Sequence, residues 1–124
     1  MGYYLFCGHG AKQERGGEVF ELIFHPEAQR ELLELDSPMQ AKALAALDKL
    51  EVQGNLLRYP HTDIIQDGLF ELRAGKKDIT RTFFAFAKGR KIYILRTFIK
   101  KTPRTPQAEI HLALKRLEEL TDES

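Results

Sequence analysis

The sequence predicts one α+β domain with the element order β-α-α-β-β-β-α, in which helices pack on one face of a mainly antiparallel sheet. Three observations predict this class. The 124 residues suit a single domain. Along the chain, a strand-like segment is followed by two segments of helical periodicity, then by three closely spaced strand-like segments and a last helical segment. A glycine-containing turn joins the last two strands, which favours antiparallel pairing.

The first strand is predicted over Val19 to Phe24, a segment rich in branched and aromatic residues. Pro26 suits the first position of a helix, which we expect to run to about Asp36. The apolar spacing of Ala28 and Leu32 supports that helix.

A second helix is predicted to start with Ser37 as N-cap and Pro38 as its first residue, and to end at Gly54. Residues 55–68 are interpreted as a loop, because Pro60 and Gly68 interrupt the pattern.

The remaining elements are three strands and a helix. In the last helix, Thr105 is the predicted cap and Pro106 the first residue, and the helix runs to about Leu120. The strands are predicted over Leu69–Ala74, Ile79–Ala87 and Lys91–Ile99.

Residues 1–17 hold five glycines and show no sustained periodicity, so we expect a flexible extension before a functional domain of residues 18–124. The single cysteine, Cys7, excludes an internal disulfide and a zinc site built on paired cysteines. No apolar run reaches the roughly 20 residues that span a bilayer. The prediction is a cytoplasmic protein that does not enter the membrane.

Charge is segregated along the chain. The segment from Arg73 to Arg104 holds eleven lysines and arginines and one acid, Asp78, for a net charge of +10. The whole chain carries +1, so the remainder carries −9. Such a segment is expected to attract a polyanion, although a solvated, solubilising face is the simpler alternative.

Several chemistries are excluded by missing motifs. The chain has no GxxxxGK[ST] phosphate loop and no GxGxxG fingerprint. Its four histidines lack metal-ligand spacing, and no serine or cysteine lies in a nucleophile elbow. We therefore expect neither a metal nor a cofactor.

Strand alternation places Arg73 on the exposed face with Glu71, and Arg81 in a mixed row among apolar residues. Lys100 and Lys101 follow the last strand directly. We expect Arg73, Arg81 and this lysine pair to converge on one concave surface, where guanidiniums can grip phosphate bidentately. Glu71, a lysine or a histidine is a candidate for proton transfer in such a site, and the simpler expectation for Glu71 is an ion pair with Arg73 on the same strand face.

Three segments in this order resemble the phage-derived branch of the RelE/HigB toxin superfamily, and the resemblance covers about Val19 to Leu120. They are Gly68-Leu69-Phe70-Glu71-Leu72-Arg73, Asp78-Ile79-Thr80-Arg81-Thr82-Phe83-Phe84, and Phe98-Ile99-Lys100-Lys101-Thr102 followed by Thr105-Pro106.

The resemblance implies the toxin of a type II toxin–antitoxin pair: a metal-independent endoribonuclease that cuts mRNA on the ribosome and is bound by a helix-turn-helix antitoxin. The residues it implies for catalysis are Arg73, Arg81 and Lys101, with His111 as the candidate for proton transfer and His61 as the other histidine considered. The residues it implies for RNA binding are Lys76, Lys77, Lys100, Thr102 and Arg104.

Two other classes stay open at this point. One is a domain that binds RNA or the ribosome without catalysis, which the unassigned general acid and base favour. The other is a protein-binding module whose basic face docks an acidic partner.

Overall fold

The computed structural model describes residues 19–75 and 80–122, and within them the chain forms five strands, three α-helices and one 3₁₀ turn. The predicted extension of residues 1–17 lies outside this part, as do Lys76, Lys77 and Ile79. The elements are β1 (Glu21–Phe24), α1 (Pro26–Glu34), α2 (Ser37–Gln53), a 3₁₀ turn (Gly54–Leu56), β2 (Thr62–Gln66), β3 (Leu69–Ala74), β4 (Thr80–Ala87), β5 (Lys91–Ile99) and α3 (Gln107–Asp122).

The strands form one sheet in the order β1-β5-β4-β3-β2. β1 runs parallel to β5, and the other three neighbouring pairs are antiparallel. The predicted α+β class with an antiparallel-rich sheet is therefore confirmed, and the architecture is compatible with a RelE-like fold.

The predicted loop over residues 55–68 was wrong in part, because Thr62–Gln66 forms the edge strand β2. Asp67 and Gly68 join β2 to β3 with φ of 51° and 80°. An Asp-Gly pair with two positive φ angles is typical of a tight hairpin turn. The Asp67-Gly68 dipeptide is the feature of the sequence that indicates a hairpin and therefore a strand before it. The strand itself shows little alternation, since Ile64 is 71% exposed at the sheet edge.

Helices cover both faces of the sheet, which corrects the expectation of one covered face. α1 and α2 pack Leu32 and Leu47 against Ile94 of β5. α3 packs Ile110 against Leu95, the next residue of β5, which points to the opposite face. The physical reason is that β4 and β5 carry apolar side chains on both faces, so each face needs a cover.

The starts of α2 and α3 differ from the sequence prediction by one residue. Asp36 is the N-cap of α2, and Ser37 is already helical. α3 begins at Gln107, and the hydroxyl of Thr105, the predicted cap, donates to the carboxylate of Glu71 on β3 at 3.3 Å. Gly54 does end α2, with a φ of 53°.

None of the helices in the described ranges is both long and apolar enough to cross a membrane.

Candidate functional site

Arg73 and Arg81 are direct cross-strand partners on β3 and β4. Strand alternation puts Glu71 on the same face as Arg73. The Glu71 side chain is only 2% exposed, and its Oε2 lies 3.0 Å from Arg73 Nε and 3.4 Å from Arg81 Nε. Thr105 donates to its other oxygen. The buried carboxylate of Glu71 thus contacts both predicted arginines. The contact with Arg73 is the expected ion pair, and the contact with Arg81 was not predicted.

Arg73 is well partnered. Its Nη2 donates to Asp63 Oδ2 at 3.0 Å, and its guanidinium carbon lies 5.2 Å from the centre of the Tyr59 ring. Burial lowers the pKa of Arg73, but the hydrogen bonds that Arg73 donates to Glu71 and Tyr59 and the charges of Glu71 and Asp63 raise that pKa by more. Arg73 is therefore a fixed, oriented cation.

Arg81 is poorly partnered by comparison. Its side chain is 11% exposed, and its contact with Glu71 is an ion pair without hydrogen-bond alignment. Nη1 donates to the Thr80 carbonyl at a long 3.4 Å, and within the described residues the buried Nε has no hydrogen-bond partner. Burial lowers the pKa of Arg81, Glu71 opposes this, and the like charge of Arg73 adds to it. An arginine stays charged even so. Its Nε is buried, so the donors that an incoming anion can reach are the two Nη groups, whose one hydrogen bond within the described residues is the long one to Thr80.

A cavity of about 600 Å³ lies beside the two arginines, between α2 and the end of β3. Lys42, Lys49, Arg73 and Arg81 contribute to its lining, and no carboxylate does so among the residues that the structure describes. Its other walls are mostly small or apolar: Ala45, Ala46, Leu57, Pro60, Leu72, Ala74 and Gly75. The cavity combines a positive lining with apolar walls.

His61 is exposed and lines this cavity, and its carbonyl accepts the backbone N–H of Arg73 at 2.8 Å. His111 lies exposed near the start of α3 and is not among the described lining residues of that cavity. Of the two histidines considered from sequence, the structure therefore brings His61 to the arginine pair.

Lys101 lies on a different groove, of about 370 Å³, which it lines with Glu31, Glu34, Arg96 and Glu109. Phe98 lines that groove and is the cross-strand partner of Arg81 in the β4–β5 pair. The structure thus groups Arg73 with Arg81 and puts Lys101 on the neighbouring surface.

The other predicted RNA-binding residues follow β5. Lys100 is half-buried, and Thr102 and Arg104 are exposed, with the Thr102 hydroxyl donating to the Arg104 carbonyl at 2.7 Å. Lys76 and Lys77 lie outside the described residues.

Sequence reasoning missed Lys42, Lys49 and Tyr59. The two lysines lie on α2, outside the basic segment, and only their spacing of seven residues marked them as sharing one helix face. Tyr59 belongs to the segment interpreted as a loop.

No group of three or more histidine, cysteine, aspartate or glutamate side chains that could hold a metal ion occurs in residues 19–75 and 80–122.

The comparisons with known proteins place this site in a family. The family model described as "Phage derived protein Gp49-like (DUF891)" matches residues 30–118, from α1 into α3, and so includes every described element of the arginine site. No curated protein matches the chain. The match spans well over half of the sequence. The chain belongs to the Gp49-like family of phage-derived proteins, which is part of the RelE/HigB-like toxin family.

Proposed function

We propose that this protein is the toxin of a type II toxin–antitoxin system and acts as a metal-independent mRNA endoribonuclease of the HigB branch. One observation carries the proposal. Glu71 gathers Arg73 and Arg81 beside a cavity whose described lining is cationic and free of carboxylates. Arginines that converge in this way bind a phosphodiester, and family membership supports RNA as its source.

In the proposed reaction the RNA supplies its own nucleophile. The 2′-hydroxyl oxygen attacks the neighbouring phosphorus, and the bond from phosphorus to the 5′-oxygen breaks. The products are a 2′,3′-cyclic phosphate and a 5′-hydroxyl. One proton leaves the 2′-oxygen and one reaches the 5′-oxygen, so no water or metal is consumed.

Arg81 and Arg73 stabilise the extra negative charge on the phosphoryl oxygens in this reaction. A well-placed donor of that kind contributes about 3–4 kcal/mol to the transition state. Arg81 is the more important of the two, because its donors have few protein partners to lose.

Proton transfer is assigned to His61 within this proposal, because His61 lines the arginine cavity and His111 does not. Lys101 retains a role on the RNA backbone, together with Lys100, Thr102 and Arg104 along the chain that follows β5. In this proposal the protein cuts mRNA on the ribosome and is bound by a helix-turn-helix antitoxin. Its proposed location is the cytoplasm.

The test is expression in a bacterium with mapping of mRNA ends. The wild-type chain should arrest growth and generate new ends, and Arg81→Ala should lower cleavage by a factor of about 10² to 10³. Arg81→Lys should remain strongly impaired, because lysine keeps the charge but not the planar set of donors. Arg30→Ala is the matched control, since Arg30 is an exposed arginine on α1 whose ion pairs, among the described residues, are with Glu27 and Glu34 of its own helix. Cleavage of an oligonucleotide with 2′-deoxyribose at the cut position would overturn the chemistry.

A non-catalytic RNA- or ribosome-binding module is the second candidate. It is favoured by the position of Glu71, whose 2% exposed carboxylate is occupied by two arginines and Thr105 and so offers no free base. Growth arrest without new mRNA ends, still abolished by Arg81→Ala, would establish this candidate instead of the nuclease.

A further inference from the structure

We propose that the cavity between α2 and β3 is a subsite for a nucleotide that flanks the scissile phosphate of single-stranded RNA, and that Lys42 and Lys49 bind the phosphates on either side of it. This inference rests on the proposed RNA-directed function and extends the binding surface from the sheet onto α2.

The walls of the cavity suit a flat, apolar group. Ala45 and Ala46 of α2 lie on one side, and Leu72 and Ala74 of β3 lie on the other. Its volume of about 600 Å³ falls within the usual range of roughly 300–1,000 Å³ for sites that bind small organic groups. Small side chains on both walls leave room for a base to enter between helix and strand.

The rim of the cavity supplies the positive charge. Lys42 and Lys49 are both exposed, and they flank the two alanines at a spacing of seven residues, about two helical turns. Their ammonium groups therefore belong to one face of α2, on either side of the apolar wall. Each added phosphate contact releases counterions, so this pair is expected to contribute mainly through electrostatics.

The subsite is continuous with the arginine pair. Arg73 and Arg81 line the cavity and also contact Glu71. Their side chains leave the sheet on the α3 side, opposite to Leu72, so a strand whose phosphate lies at these arginines would pass round the end of β3 to place an adjoining nucleotide in the cavity. His61, exposed on the same lining, offers an aromatic face on which a base can stack.

Single-stranded RNA fits this surface better than an acidic protein segment does. Proteins that bind single strands combine a positive groove with surfaces on which bases stack. An acidic peptide would use the lysines but would bring backbone polar groups against alanine and leucine walls, where few partners are available. The combination of apolar walls and cationic rim therefore favours a nucleotide.

The experiment measures fluorescence anisotropy of a labelled, uncleavable 2′-O-methyl RNA oligonucleotide across a salt series. The double variant Lys42→Ala/Lys49→Ala should bind at least tenfold more weakly. Its slope of log affinity against log salt should be shallower by about 1.4, since each phosphate contact on a single strand contributes about 0.7. Lys88→Ala/Lys115→Ala removes the same charge from exposed positions in the β4–β5 turn and on α3, and should change both quantities much less.

A second variant, Ala45→Trp, fills the cavity without removing charge. Ala45 is exposed, so thermal unfolding should stay near that of the wild type while RNA affinity falls at least fivefold. Folding defects and loss of the subsite are thereby separated.

The outcomes distinguish this inference from the proposed function. If Lys42→Ala/Lys49→Ala and Ala45→Trp both cleaved RNA and bound it with wild-type affinity, the subsite would be overturned and the proposed nuclease function would be supported. Weakened binding without any cleavage activity would support the subsite and remove the catalysis. If the wild-type chain did not bind RNA, both the subsite and the proposed function would be overturned. If polyglutamate bound as tightly as RNA, and Lys42→Ala/Lys49→Ala weakened that binding, the cavity would be assigned to an acidic protein.

Discussion

Arg73 and Arg81 face each other across the β3–β4 pair, and Glu71 meets both guanidiniums through the same carboxylate oxygen. Two like charges at directly opposed strand positions repel one another. The buried carboxylate between them offsets that repulsion and fixes their orientation. Because Glu71 satisfies Arg73 better than Arg81, the pair keeps one cation ready for an outside anion.

Removing the charge of Glu71 tests this arrangement. Glu71→Gln should lower the free energy of unfolding by about 1–3 kcal/mol, because the partly buried Arg73 and the largely buried Arg81 lose a charged acceptor. RNA cleavage should fall as well, since both guanidiniums lose their orientation. Urea denaturation and a cleavage assay on the same preparation measure the two effects. A variant as stable and as active as the wild type would show that the arginines do not depend on Glu71.

Glu31 is predicted to be a major contributor to stability. Its carboxylate, 10% exposed, lies 2.6 Å from Arg96 Nη1 and 2.9 Å from Arg116 Nη2, and it also accepts the backbone N–H of Thr97. Glu31→Ala leaves two largely buried arginines short of a partner and should cost about 3–5 kcal/mol in unfolding free energy.

Glu34→Ala is the matched control for Glu31. Glu34 lies three residues further along α1 and is 62% exposed, and its ion pair within the described part of the chain is with Arg30 of the same helix. Exposed pairs of this type contribute little to stability. The unfolding midpoint in urea should therefore stay close to that of the wild type, and equal losses in the two variants would contradict the assignment of Glu31 as the shared partner.

His25 is predicted to act as a helix cap. Its Nδ1 accepts the Glu27 N–H at 3.1 Å at the start of α1, so its Nε2 carries the proton that meets Glu119 at 2.7 Å. His25→Ala should cost about 1 kcal/mol, the usual effect of removing a cap side chain. His25→Asn should cost less, because asparagine caps through its own oxygen. Thermal denaturation of both variants decides this, and identical losses would rule out capping.

Gly54 is predicted to tolerate no side chain. A Cβ at this position would collide with the ring of Phe20, and its φ of 53° is itself unfavourable for other residues. Gly68 is the matched control, since its φ is 80° but nothing lies near a Cβ there. Gly68→Ala should cost roughly 1–2 kcal/mol from backbone conformation alone. Gly54→Ala should cost a further 1–3 kcal/mol or so from the clash, as measured by urea denaturation, and a smaller loss for Gly54 would contradict the packing argument.

The elements with strong local signals were predictable from the sequence. β3 and β5 have the predicted bounds, and β4 agrees from Thr80 onward. Pro26 starts α1 and Gly54 ends α2 as expected. Proline and glycine restrict or free their own backbone angles, so their effects need no distant contact.

β2 and the second covered face were not predicted. β2 owes its conformation to hydrogen bonds with β3, and its exposed Ile64 obscures the alternation that marks a strand. The four consecutive buried residues of β4, Thr82 to Ala85, are compatible with cover on both faces, yet only packing against α3 shows that this cover exists.

By itself, the sequence determined the α+β class, the basic segment and the candidacy of Arg73 and Arg81, because strand alternation and charge are properties of neighbouring residues. Only the tertiary structure decided that Glu71 joins those arginines, that Lys42 and Lys49 of α2 border the same cavity, and that Lys101 lies on another groove. These relationships depend on strand register and on where α2 crosses the sheet, and both are set by packing between segments that lie far apart in the chain.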